Sequence, residues 1–98
     1  SKKYPLNPSG YFGEKGKNHR VIVSDNPIET SVDFYKTISC GGKESQLSNG
    51  KGVQTVFEDG TRIVYRVITS TPDSPAVDIT VNIESPVKKQ KIHFIRKD

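Results

Sequence analysis

From residue 77 to residue 83 the chain alternates without a break, with Val77, Ile79, Val81 and Ile83 interleaved with Asp78, Thr80 and Asn82. A period of two puts every apolar side chain on one side of a strand and every polar one on the other. Such a strand belongs to a sheet that packs one face on a core and leaves the other in water. Other segments join it. Residues 21–23 are a short apolar strand, and residues 91–95 are the last one. Residues 53–57 and 62–68 flank Asp59 and Gly60, a two-residue hairpin signal that expects positive φ at both central positions. Residues 48–52, 69–75 and 85–89 read as polar turns and connections.

One helix is clearly punctuated. Asn26 suits the N-cap, Pro27 the first helical position, and Glu29 completes a capping box. Ile28, Val32, Tyr35 and Ile38 recur at helical spacing, and Phe34 widens that apolar face. Gly41 and Gly42 supply the stop. Residues 1–17 hold two prolines, three glycines and four lysines with no apolar period, and read as a loop or linker to upstream sequence. Residues 18–98 are then a single domain, because 98 residues suffice for one modest core. The expected fold is α+β, with an N-terminal helix packed on a twisted, mainly antiparallel sheet of four to five strands.

Composition narrows the function classes. The chain has no Met and reads as a piece cut from something longer, or as a processed product. It has neither a signal-peptide pattern nor an apolar run near the ~18 residues that span a membrane. Cys40 stands alone, which excludes an internal disulfide framework and a Cys-rich zinc site. Its place at a helix C-terminus disfavours a thiolate nucleophile. No P-loop, GxGxxG or GxSxG motif is present. Lys and Arg exceed Asp and Glu by 15 to 11, a bias that suits a polyanionic partner and equally an ordinary charged surface.

Strand alternation sorts the polar residues. Asp78 and Thr80 face away from the helix, as do Lys91 and His93 if Ile92 and Phe94 face it. Arg62 and Arg66 join them if Ile63, Tyr65 and Val67 pack inward. The connection holding Thr69 and Ser70 forms the rim, and His19 at the end of a basic loop can reach the same face. This set suits RNA cleavage without a metal. Attack of a 2′-hydroxyl on its neighbouring phosphate needs a base, an acid for the leaving oxygen, and cations on the phosphorane. His93 is the candidate acid or base and His19 a second one. Arg66 and Lys91 are the candidate cations, and Thr69, Ser70 and Thr80 the positioning hydroxyls. Asp78 orients a histidine or binds Arg66.

A structural reading stands beside this one: His93 pairs with Asp78 across the sheet, and Arg66 and Lys91 are solvated strand residues. A metal nuclease built on Asp73 and Asp78 is a weaker alternative, since residue 73 lies in a polar connection. A non-catalytic nucleic-acid- or protein-binding module would use the same face.

The run FEDGTRIVYRVITSTPDSPAVDITV, followed by QKIHF, resembles the C-terminal toxin modules of contact-dependent growth-inhibition proteins. The segments RVIVSDNPIETSVDFY and GGKESQLSNGKG resemble their helix and first hairpin, so the likeness spans roughly residues 11–96. It implies an RNase of the barnase–EndoU–colicin–RelE superfamily that cuts tRNA near the 3′ acceptor end. It also implies dependence on elongation factor Tu and neutralisation by a cognate immunity protein. The implied delivery is as the C-terminus of a large cell-surface protein that acts in the cytoplasm of a neighbouring bacterium. Matched by position, the "YR-x-x-[ST]-S" residues are Arg66, Thr69 and Ser70, the "VDI" acid is Asp78, and the "KIHF" pair is Lys91 and His93. An immunity protein is the poorer match, because RNase inhibitors that mimic substrate are acidic.

Overall fold

The computed structural model describes residues 3–71, 73–82 and 84–97. Seven strands and one helix follow in chain order: β1 (Glu14–Lys15), β2 (Arg20–Ser24), α1 (Pro27–Ile38), β3 (Lys43–Gln46), β4 (Gly52–Val56), β5 (Arg62–Arg66), β6 (Ala76–Thr80) and β7 (Lys89–Arg96). They form one sheet in the order β1-β2-β7-β6-β5-β4-β3. β2 runs parallel to β7 and every other pair is antiparallel.

The α+β expectation of a helix on four to five mainly antiparallel strands is therefore corrected. Among the described residues the fold is mostly sheet, a seven-stranded mixed sheet with a single short helix. The added strands β1 and β3 are polar edge strands, exposed at every position. They carry no apolar alternation because neither buries a face. No helix among the described residues is long and apolar enough to cross a membrane.

The core lies between α1 and one sheet face. Phe34, Val77, Ile92 and Phe94 are completely buried there. Phe34 meets Tyr4 and Phe12 edge-on at 4.9 and 5.0 Å, and Phe94 at 5.4 Å. Two of those rings belong to residues 3–17, so the segment read as a linker is docked. Gln90 of β7 secures it by accepting from Phe12 N (2.9 Å) and donating to Gly10 O (3.1 Å). Its lysines and glycines concealed a few well-placed aromatics.

The capping box of α1 forms as expected. The Asn26 side chain accepts from Glu29 N (3.3 Å) and donates to Glu29 Oε2 (3.1 Å). The buried stripe is rotated from the expected one. Ile28 is 49% exposed, whereas Ser31 is buried. That serine is tolerated inside because it donates to Ile28 O (2.8 Å) and accepts from the Tyr65 hydroxyl (2.9 Å).

Two local expectations also change. The β4–β5 turn has positive φ at Gly60 (+89°) but not at Asp59. It is a three-residue loop closed by Phe57 N to Thr61 O (2.9 Å), and Asp59 Oδ1 accepts from Thr61 N (2.8 Å). β5 stops at Arg66, so Val67, expected inward, is exposed. Likewise β6 stops at Thr80, and Ile83, expected on the apolar face, lies outside the described residues.

Candidate active site

The strand register builds the face opposite α1 in three rows. In the first, Arg66, Ala76, His93 and Val21 stand side by side on β5, β6, β7 and β2. In the second, Val64, Asp78 and Lys91 are neighbours, and in the third Arg62, Thr80 and Lys89. The alternate residues Ile63, Tyr65, Val77, Ile79, Ile92 and Phe94 form the core, so these rows face away from the helix. Arg62, Arg66, Asp78, Thr80, Lys91 and His93 thus share one side of the sheet. At about 4.8 Å between strands and 3.3 Å per residue, Lys91 is roughly 7 Å along β7 from His93 and Arg66 roughly 10 Å across the sheet. Thr80 is a further step away, at about 13 Å from the His93 row. It sits with Arg62 and Lys89 instead.

His93 is only 9% exposed. The cover comes from the open side: its Nδ1 lies 2.9 Å from Ser74 Oγ, and its ring meets that of His19 at 4.6 Å. Sequence alternation explains the second contact, since His19 is two residues before Val21, the β2 partner of His93. Asp78 does not pair with His93. Its Oδ2 accepts from Arg66 Nε (3.1 Å) and Nη2 (2.9 Å).

Thr69 is held within the β5–β6 connection, where its hydroxyl contacts Ser74 O (2.7 Å) and Thr71 O (3.0 Å). It thereby shapes the loop that carries Ser74 to His93. Ser70 is exposed on the same connection. Ser74 itself carries no sequence signal, being one of several serines and threonines in a polar stretch.

Burial lowers the pKa of His93 below its ordinary value of 6.5, and the charges of His19, Lys91 and Arg66 add to the effect; hydrogen bonding to Ser74 opposes it. The imidazole is therefore neutral at neutral pH, the state a general base requires. The same shift links stability to pH. Below about 6.5 the unfolded chain binds a proton that the folded His93 resists, so stability falls as pH drops through that window. Thermal unfolding followed from about pH 8 to about pH 5 should show a falling midpoint, and His93→Asn should flatten the fall.

Beside this pair opens a cleft of about 910 Å³. Lys15, Lys17 and Arg20 line it from the N-terminal side, Arg62 and Arg66 from β5, and Lys89 and Lys91 from β7. His19 also lines it, with His93 behind. Asp78 is the one acid in the lining among the described residues, and Arg66 neutralises it. The lysines at 15 and 17 carry no signal in the sequence, because they fall in a segment with the composition of a linker. Asp73 is exposed with φ of +56°, and Cys40 is exposed with a free thiol. Among the described residues no three His, Cys, Asp or Glu side chains are grouped as metal ligands would be.

Comparison with protein-family models, with curated proteins and with solved structures found no match to this chain.

Proposed function

We propose that this chain is an endoribonuclease that binds RNA in the basic cleft and cuts it by 2′-hydroxyl attack, with no metal in the reaction. One observation carries the reading: His19, whose ring meets that of the buried His93 at 4.6 Å, lines a cleft whose cations face a single, already paired acid. Neutral His93 suits removal of a proton from the 2′-hydroxyl, directly or through His19, and the second imidazole suits protonation of the departing 5′-oxygen. Lys91 and Arg66 stabilise the negative charge that gathers on the phosphorane. Ser74 fixes the His93 ring.

The resemblance to growth-inhibition toxins extends the proposal. The substrate is then tRNA, cut near its 3′ acceptor end in the cytoplasm of a neighbouring bacterium, with elongation factor Tu as a helper and an immunity protein as inhibitor. The module travels there as the end of a large cell-surface protein. Cleavage of purified tRNA should proceed at an unchanged rate in excess EDTA. Loss of cleavage on chelation, restored by a divalent cation, would overturn the metal-independent mechanism.

The deep placement of His93 favours a second reading, a non-catalytic RNA- or protein-binding module in which the histidine is structural. Expression in a bacterium without a partner protein separates the two. The nuclease arrests growth and the binding module does not.

A further inference from the structure

The cationic face repeats along the strands. Lys89 and Lys91 leave the same side of β7 about 6.7 Å apart, close to the phosphate-to-phosphate step of an extended single strand. In the lower row Thr80 stands between Arg62 and Lys89 on adjacent strands, a short hydroxyl flanked by two long cations. Gln54 Oε1 accepts from Arg62 Nε at 2.7 Å, and Arg62 lines the cleft. Among the described residues no acid pairs with Arg62, Lys89 or Lys91.

An aromatic ring lies at the same level. Gln90, between the two lysines, holds both Gly10 O and Phe12 N and so places Tyr11 beside them on the cleft wall. Arg20 lies over the Tyr11 ring at 4.6 Å, while its own Nε and Nη2 are fixed on Phe12 O (3.0 Å) and Gly13 O (2.8 Å). One face of the ring is therefore covered by an immobilised guanidinium, and the residue is half-buried.

We propose that the cleft takes an unpaired RNA strand, with a second phosphate held over Thr80 by Arg62 and Lys89 and a base stacked on Tyr11. The second subsite moves Thr80 away from the reacting phosphate, consistent with its distance from the His93 row. A base paired in a duplex cannot present its face to a ring, so stacking on Tyr11 selects single strands. The inference deepens the nuclease reading and rests on it for the identity of the phosphate that is cut.

The test is binding, by fluorescence anisotropy, of fully 2′-O-methylated RNA that a 2′-hydroxyl mechanism cannot cut. Wild-type protein should bind a tetranucleotide more tightly than a dinucleotide, and more tightly than a duplex of the same sequence. Tyr11→Leu should lower the tetranucleotide-to-dinucleotide affinity ratio about 10-fold or more, while Tyr11→Phe keeps it. The double variant Arg62→Ala, Lys89→Ala should lower the ratio as well. It should also reduce the slope of log affinity against log salt by about 1. Unfolding curves of each variant establish that it is folded at the assay temperature. An unchanged ratio in folded Tyr11→Leu and in the double variant would overturn this inference and leave the nuclease reading standing. Duplex binding equal to single-strand binding would overturn the stacking. Absence of binding to every RNA would remove both proposals.

Discussion

Replacing His93 with alanine is expected to lower RNA cleavage by about 10²- to 10⁴-fold, the range for loss of a general acid or base. The substitution also removes the partner of Ser74 Oγ inside a nearly closed site. Part of the effect would therefore appear as lost stability, on the order of 1–3 kcal/mol. His93→Asn separates the two contributions, because an amide keeps a polar partner beside Ser74 without titrating. If His93 works through proton transfer, the asparagine variant is folded and inactive, and any residual rate loses its acid-side dependence on pH. Full activity in either folded variant would remove the histidine from the mechanism. A rate that falls with an unaltered pH profile would make it a positioning residue for His19.

Phe34→Ala is expected to cost about 3–5 kcal/mol of folding stability. Its ring has no exposed surface and contacts Tyr4, Phe12 and Phe94. The residual cavity cannot close easily, because its walls are a helix, a strand and a docked segment tied by Gln90. Against a total of roughly 5–15 kcal/mol for a domain, the loss is large. Urea unfolding measures it. The same variant should loosen residues 3–17 and with them the cleft wall that holds Tyr11, Lys15 and Lys17. A loss below about 1 kcal/mol would mean that the aromatic cluster is not the centre of the core.

What could be read from the chain beforehand follows from period and chemistry. The alternation in β6 and β7 sorted Asp78, Thr80, Lys91 and His93 to the side opposite α1, because a half-buried strand writes its orientation into every second residue. The cap at Asn26 was legible for a similar reason, as side chain and backbone must match locally. By contrast, β1 and β3 bury nothing and so carry no apolar signature. The parallel pairing of β2 with β7 joins segments far apart in the chain, and nothing local records it. Val21 and Ile22 gave a strand but not its neighbour. Ile28 matches the helical period yet faces outward, while Ser31 is buried in a hydrogen bond with Tyr65 that period alone does not reveal.

The site was legible only in part. Its face and three of its cations, Arg62, Arg66 and Lys91, follow from alternation, whereas Lys89 falls in a stretch that reads as a turn. The contact between His19 and His93 depends on the parallel register of β2 and β7, and the cover by Ser74 depends on how the residue 69–75 connection folds back. Neither is encoded in spacing. The sequence allows Asp78 either to orient a histidine or to bind Arg66, and the geometry gives it to Arg66. The basic wall supplied by Lys15 and Lys17 was hidden because glycine, proline and lysine together resemble a linker whether or not a few aromatics dock it.

The most direct measurement is the chemistry of the ends left after the wild-type protein cuts RNA. Attack by a 2′-hydroxyl predicts a 2′,3′-cyclic phosphate on the upstream fragment, a free 5′-hydroxyl on the downstream one, and no cutting of an all-deoxy copy of the same sequence. Fragments ending in a 3′-hydroxyl, or cleavage of the deoxy copy, would contradict the account.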